Sequence, residues 1–118
     1  LEINAQKSRS GPGLDLERVH RFMLEHIDQA LTLDALAACA NLSKFHFSSR
    51  YKILTGYSPI KHFLNMKMEH ACHLLDSSDL SVQAVATTIG YEDPLYFSRL
   101  FSKTIGLSPR AYRASIRK

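Results

Sequence analysis

The feature that most constrains this chain is that it writes one sentence twice. Residues 43–63 read SKFHFSSRYKILTGYSPIKHF and residues 93–113 read DPLYFSRLFSKTIGLSPRAYR. LAACANL at 36–42 pairs with VATTIGY at 85–91 at an offset of 49, and FSSRY at 47–51 pairs with FSRLF at 97–101 at an offset of 50. The added residue falls near Glu92–Asp93. A fold built on this sequence must therefore make the same small unit twice.

Each copy reads as a short helix, a tight turn and a longer basic helix. Asn41 and Gly90 stand just after the short helix, where the chain leaves through a left-handed conformation that Asn and Gly tolerate best. Leu42 and Tyr91 follow and can tuck back between the helices. Ala37 and Ala86 are small where the helices must cross closely. This is helix-turn-helix logic.

Helical start and stop signals continue along the whole chain, and no strand pattern interrupts them. Helix 1 is expected from about Asp15 to Ile27, with Leu16, Val19, Met23 and Ile27 inward. Helix 2, capped by Thr32, runs over Leu33–Ala40. Helix 3 follows Ser43 and ends at Gly56. Helix 4 opens at Ser58-Pro59, a cap followed by the residue that suits a first helical position, with Ile60, Leu64, Met68, Ala71 and Leu75 on one face. Ser81 caps helix 5, which stops at Gly90. Asp93-Pro94 opens helix 6, and Ser108-Pro109 opens helix 7, with Tyr112 and Ile116 inward. The expected fold is all-α: seven helices in two helix-turn-helix subdomains, homeodomain-like, at 14–57 and 78–118. A linker helix at 58–77 joins them, and residues 1–13 read as a linker or tail.

The second helix of each pair has two faces. Phe47, Tyr51 and Leu54, like Phe97, Phe101 and Ile105, keep helical spacing and should be buried. The other face carries Phe45, Ser48, Ser49 and Lys52 in helix 3, and Leu95, Ser98, Arg99 and Ser102 in helix 6. Short polar and basic side chains on one exposed face suit the edges of bases in a DNA major groove.

Charge follows the repeat. Residues 43–68 hold Lys44, Arg50, Lys52, Lys61 and Lys67 and no acid, while 69–96 hold Glu69, Asp76, Asp79, Glu92 and Asp93 and no base. The bases return in 97–118, as Arg99, Lys103, Arg110, Arg113, Arg117 and Lys118. Two basic blocks at matching places point to two sites facing one polyanion. The acidic stretch 69–96 reads first as a solvated face, with a partner such as RNA polymerase as the other use.

Arg99 is then the candidate for a bidentate contact to guanine, and Ser48, Ser49 and Ser98 can donate to bases or phosphates. Phe45 and Leu95 read as packing on thymine methyls or as peripheral core, and His46 as a phosphate contact or none. Lys44, Lys52, Ser102 and Lys103 are candidates for phosphate contacts, and the helix starts at Ser58 and Ser108 can present backbone N–H groups to phosphate.

Catalytic and cofactor chemistry finds no foothold. There is no glycine-rich phosphate loop or nucleophile elbow. His70 and His73 share a helical face but lack the further ligands of a metal site; no metal and no cofactor are expected. Cys39 and Cys72 read as reduced, buried packing residues. No run of ~18 apolar residues offers a membrane span, and no secretory signal is present, so a cytoplasmic protein is expected. A first residue of Leu suggests a piece of a longer protein.

At SRLFSKTIGLSPRAYR, preceded by VATTIGYEDPLYF and echoed by GYSPIKHF, the sequence resembles the AraC/XylS family of bacterial transcription regulators over about residues 15–115. The resemblance implies two helix-turn-helix units on a rigid linker helix, set into adjacent major-groove segments of double-stranded DNA. It implies the C-terminal half of a regulator, here read as an activator, whose sensor or dimerisation half lies outside this chain. It also assigns base contacts to Phe45, His46, Ser48, Ser49, Leu95, Ser98 and Arg99. Three departures stand out: His62 where the family commonly has Tyr, Lys67 where Arg is usual, and the small Ser48 and Ser49 at the main reading positions of helix 3, from which the second unit, through Arg99, is expected to supply more of the specificity.

Overall fold

The computed structural model describes residues 13–117; the expected tail at 1–13 falls almost wholly outside them. Among the described residues there are seven helices and no strand: α1 Leu16–Glu25, α2 Leu33–Cys39, α3 Lys44–Thr55, α4 Pro59–Ser77, α5 Val82–Thr88, α6 Pro94–Ile105 and α7 Pro109–Ile116. The chain divides into two compact units. The first gathers the described residues through His26 with Leu31–Phe63; the second gathers Ile27–Ala30 with Leu64 onward.

Side-chain caps start the helices. Asp15 accepts from the Arg18 amide at 3.1 Å, so it precedes α1 rather than beginning it. The helix also ends sooner than expected. His26 leaves helical geometry while its ring Nδ1 bonds the Phe22 carbonyl at 2.8 Å, which ends the ladder before Ile27. Thr32, Ser43, Ser81 and Ser108 each accept from the amide three residues on, at 3.0–3.2 Å. Such a cap contributes about 1 kcal/mol. Gly56 and Gly106 close α3 and α6 in the left-handed region.

In the first unit Val19, Met23, Leu36, Ala37, Phe47, Tyr51 and Phe63 are buried. In the second, Met68, Ala71, Leu75, Val85, Ala86, Ile89, Phe97 and Phe101 form one cluster. Each buried large side chain contributes about 1.5–3 kcal/mol. The repeat holds at the level of roles: Phe47 and Tyr51 of α3 become Phe97 and Phe101 of α6, and Ala37 becomes Ala86.

Three apolar side chains expected inside lie outside. Ile60 is exposed because Phe63 and Pro59 take the inward positions at the start of α4, leaving Ile60 about 100° around the helix. Leu54 lies on the last turn of α3, past the packed part of the helix; its counterpart Thr104 is also exposed. Ile116, on the last turn of α7, is exposed too. Cys39 and Cys72 are free but only half-buried.

Lys67 is a larger correction. It counts toward the basic block in sequence, yet only 4% of it is exposed. Its Nζ donates to the carbonyls of Ile27 (3.2 Å) and Gln29 (2.6 Å) and lies 5.1 Å from the centre of the Tyr91 ring. Burial pulls its pKa down, partly opposed by Asp28. Fifty residues on, Arg117 does the corresponding job, donating to the carbonyls of Asp76 and Ser78. Both copies thus use a cation to pin the loop between their first two helices.

His62 has a comparable explanation. The Tyr51 hydroxyl lies 2.6 Å from His62 Nδ1 and 3.1 Å from His20 Nε2, and the Tyr57 ring stacks on His62. Burial pushes the Tyr51 phenol up to about 12. Burial, and then the neighbouring His62, holds His20 below its usual value. The second unit has Phe101 and Tyr112 at the positions of Tyr51 and His62, meeting edge to face at 5.8 Å without a histidine.

Candidate nucleic-acid interface

The turn that aims each exposed helix is the same in both units. In the first, Leu42 N–H donates to Ala37 O at 3.0 Å and Asn41 N–H to Ala38 O at 3.0 Å, with Asn41 at φ 58°. In the second, Tyr91 N–H donates to Ala86 O at 2.9 Å and Gly90 N–H to Thr87 O at 3.0 Å, with Gly90 at φ 94°. These paired bonds satisfy carbonyls that the end of a helix leaves open. They also fix the direction in which α3 and α6 depart.

Because Phe47 and Tyr51 anchor α3, and Phe97 and Phe101 anchor α6, the opposite faces are turned to solvent. On α3 these faces present Lys44, Phe45, His46, Ser49 and Lys52, all exposed, with Ser48 half-buried beside them. On α6, Leu95, Arg99 and Lys103 are exposed, and Ser98 and Ser102 are half-buried. Every base-contact candidate named from sequence is therefore reachable, and each set shares one face of its own helix. Ser58 and Ser108 are exposed but engaged as caps, at 3.4 Å from Lys61 N and 3.1 Å from Ala111 N. Lys44 lies 3.5 Å from Asp34 in a solvent-exposed pair, which contributes little and leaves the lysine available to phosphate.

Two features escaped sequence reasoning. Ile53 is 68% exposed on the outer face of α3, and Tyr96 is 52% exposed on α6. Ile53 could have been found: it is an apolar residue eight positions after Phe45, on the face that sequence otherwise reads as polar. The basic blocks also overcount the outward charge. Lys67 is buried, Arg113 donates to the carbonyls of Leu75 (3.0 Å) and Ser78 (3.2 Å), and Arg117 pairs with Asp79 at 3.0 Å. These cations hold loops and helix ends together.

Among the described residues, no three His, Cys, Asp or Glu side chains gather as a metal-binding set. His70 and His73 stack on each other at 6.4 Å. No helix there is long and apolar enough to cross a membrane.

Comparison with known proteins agrees with this geometry. A helix-turn-helix domain family matches residues 36–115. The MmsAB operon regulatory protein of Pseudomonas aeruginosa is 59% identical over 105 residues, which cover 89% of this chain and 34% of that protein. The lactose operon transcription activator of Staphylococcus xylosus is 27% identical, over 84% of this chain and 36% of that one. This chain spans about a third of the length of such relatives. Among solved structures, the DNA-binding domain of AdpA in complex with a target DNA superposes with a TM-score of 0.80 at 35% identity, covering 86% of this chain and 92% of that one. The C-terminal domain of AraT, a response regulator from Geobacillus stearothermophilus, gives 0.79 at 34% identity, covering 85% and 84%. The chain belongs to the AraC-type helix-turn-helix family, the DNA-binding domains of transcription regulators.

Proposed function

We propose that this chain is the sequence-reading part of a bacterial transcription activator, with α3 and α6 each entering a major groove of double-stranded DNA. The observation that carries this reading is the doubled exposed face. Two helices, each anchored by an aromatic pair, turn Phe45, His46, Ser48 and Ser49, or Leu95, Ser98 and Arg99, to solvent. Arg99 offers the bidentate donor that suits guanine O6 and N7. Lys44, Lys52, Ser102 and Lys103, with the backbone N–H groups that open α4 and α7 at Ser58 and Ser108, supply phosphate contacts that set affinity and register. Two such units would read boxes about one helical turn, ~34 Å, apart.

The rest of the regulator would hold the sensing or dimerising part, and the acidic stretch 69–96 is the surface to test against RNA polymerase. The role of this chain is binding in the cytoplasm, without catalysis or cofactor. Titration of a labelled duplex at several salt concentrations tests the reading. The three lysines among the phosphate contacts predict a slope of log affinity against log salt of about −3, and a loss of roughly 40-fold between 50 and 200 mM. Binding that ignores salt would contradict it.

A further inference from the structure

We propose that Ile53 is a specificity residue: with Phe45 it walls an apolar trough on α3 that takes the 5-methyl group of thymine. The inference rests on the DNA-binding reading above. Phe45 is 87% and Ile53 68% exposed, so neither is core. They stand eight residues apart on one stripe of the helix, with Ser49 between them. The open, shallow groove beside them, about 510 Å³, is lined by Phe45, Ser48, Ser49, Lys52 and Ile53. Its lining combines two small serines, two large apolar side chains and Lys52. A single large apolar side chain on a surface needs no explanation; two facing each other across a trough on the reading helix do.

The occupant follows from what the trough can discriminate. Its setting is basic, with exposed Lys44 and Lys52 on the same helix and Lys61 at the start of the next, which suits a polyanion. Its one cation, Lys52, suits a phosphate or a guanine edge, and the rest of the lining holds no carboxamide for adenine and no guanidinium for guanine, only two serines and two apolar walls. The apolar group that a major groove presents is the thymine methyl. The trough spans eight residues, ~12 Å at 1.5 Å each. At 3.4 Å per base step that is three to four base pairs. On α6 the matching positions are Leu95, Ser98, Arg99, Ser102 and Lys103, which trade one apolar wall and one serine for cations. The two units would therefore read by different chemistry: methyl contact through α3 and hydrogen bonding through α6.

The test uses a duplex enriched by this chain from a randomised pool. Each thymine in turn is replaced by deoxyuridine, which removes only the methyl group. The box that does not relax in Arg99→Ala belongs to α3. There, one or more replacements should weaken wild-type binding about fourfold per methyl lost. In Ile53→Ala the penalty should vanish at one thymine, and in Phe45→Ala at another. Because both residues are exposed, the variants should melt with the wild type. An enriched α3 box that is indifferent to uracil would overturn the methyl reading and leave DNA binding intact. Equal weakening of every duplex by Ile53→Ala would make Ile53 a backbone contact and overturn its assignment. Failure to enrich any site would remove the DNA-binding reading itself.

Discussion

Gly90 and Gly106 both sit in the left-handed region, at φ 94° and 98°, yet replacing them should have unequal consequences. An Ala at Gly106 would meet nothing within 4 Å. Its cost is the backbone strain alone, about 1–2 kcal/mol. A Cβ at Gly90 would lie 2.4 Å from Asp28 O and 2.8 Å from the Asp28 carbonyl carbon. That neighbour is backbone, and it belongs to the loop pinned by Lys67 through Ile27 O and Gln29 O. Moving the loop strains those bonds, and a hydrogen bond to a charged group contributes about 1.5–3 kcal/mol. Gly90→Ala should thus cost about 3 kcal/mol or more. At ~4–8 °C per kcal/mol for a domain of this size, its Tm should fall by 12 °C or more, against roughly 4–16 °C for Gly106→Ala. Urea titrations followed by far-UV circular dichroism resolve the pair directly. Gly90→Asn sharpens the test. Asn adopts a left-handed φ at the matching place in the first unit, 58° at Asn41 against 94° at Gly90, but at position 90 its Cβ would meet the same carbonyl. If Gly90→Ala unfolds at the same urea concentration as Gly106→Ala, or if Asn rescues it, the close approach to Asp28 is not what selects glycine.

Lys67→Met keeps the length of the side chain and removes both carbonyl bonds. It should cost about 2–3 kcal/mol in denaturant titrations, whereas Lys67→Arg should cost less because Arg117 already performs the matching task. His20 is held below its usual pKa of 6.5, so folding favours its neutral form. Its contribution is complete above pH 6.5 and is lost as the pH falls below that value, because the unfolded chain then binds a proton that the folded chain resists. Melting curves from pH 8 to 5 should show this decline, and His20→Gln should reduce it. Arg99→Ala should relax one DNA box at a cost of about 1–3 kcal/mol for the preferred base. Lys103→Ala should instead weaken all duplexes alike and lower the salt slope by about 1.

The architecture was legible because its signals are local and occur twice. Thr32, Ser43, Ser81 and Ser108 announce helix starts through hydrogen bonds reaching three residues, and Asn41, Gly56, Gly90 and Gly106 mark turns through their own φ. The two faces of α3 and α6 followed from spacing. What stayed hidden depends on the partner across the core. No periodicity says that Lys67 reaches back to a loop nearly forty residues earlier, or that His62 joins Tyr51 and His20. The exposure of Ile60 and Leu54 turns on where a helix meets its neighbour, which apolar character alone does not report. The alignment of the halves held part of that information, since Thr104 opposite Leu54 and Arg117 opposite Lys67 are visible in the sequence. On the interface, counting charge misled because Lys67, Arg113 and Arg117 serve the fold. Ile53 escapes notice because the spacing that marks the buried face of α3 says nothing about an apolar residue on the opposite, mostly polar face.

The most direct test of the central claim is selection of bound duplexes from a randomised DNA pool by this chain, with the enriched site read by sequencing. Two short boxes about one helical turn apart, one of which loses its preference in Arg99→Ala, are the predicted result. A pool that stays random after repeated selection, with weak binding that does not respond to salt, would contradict it.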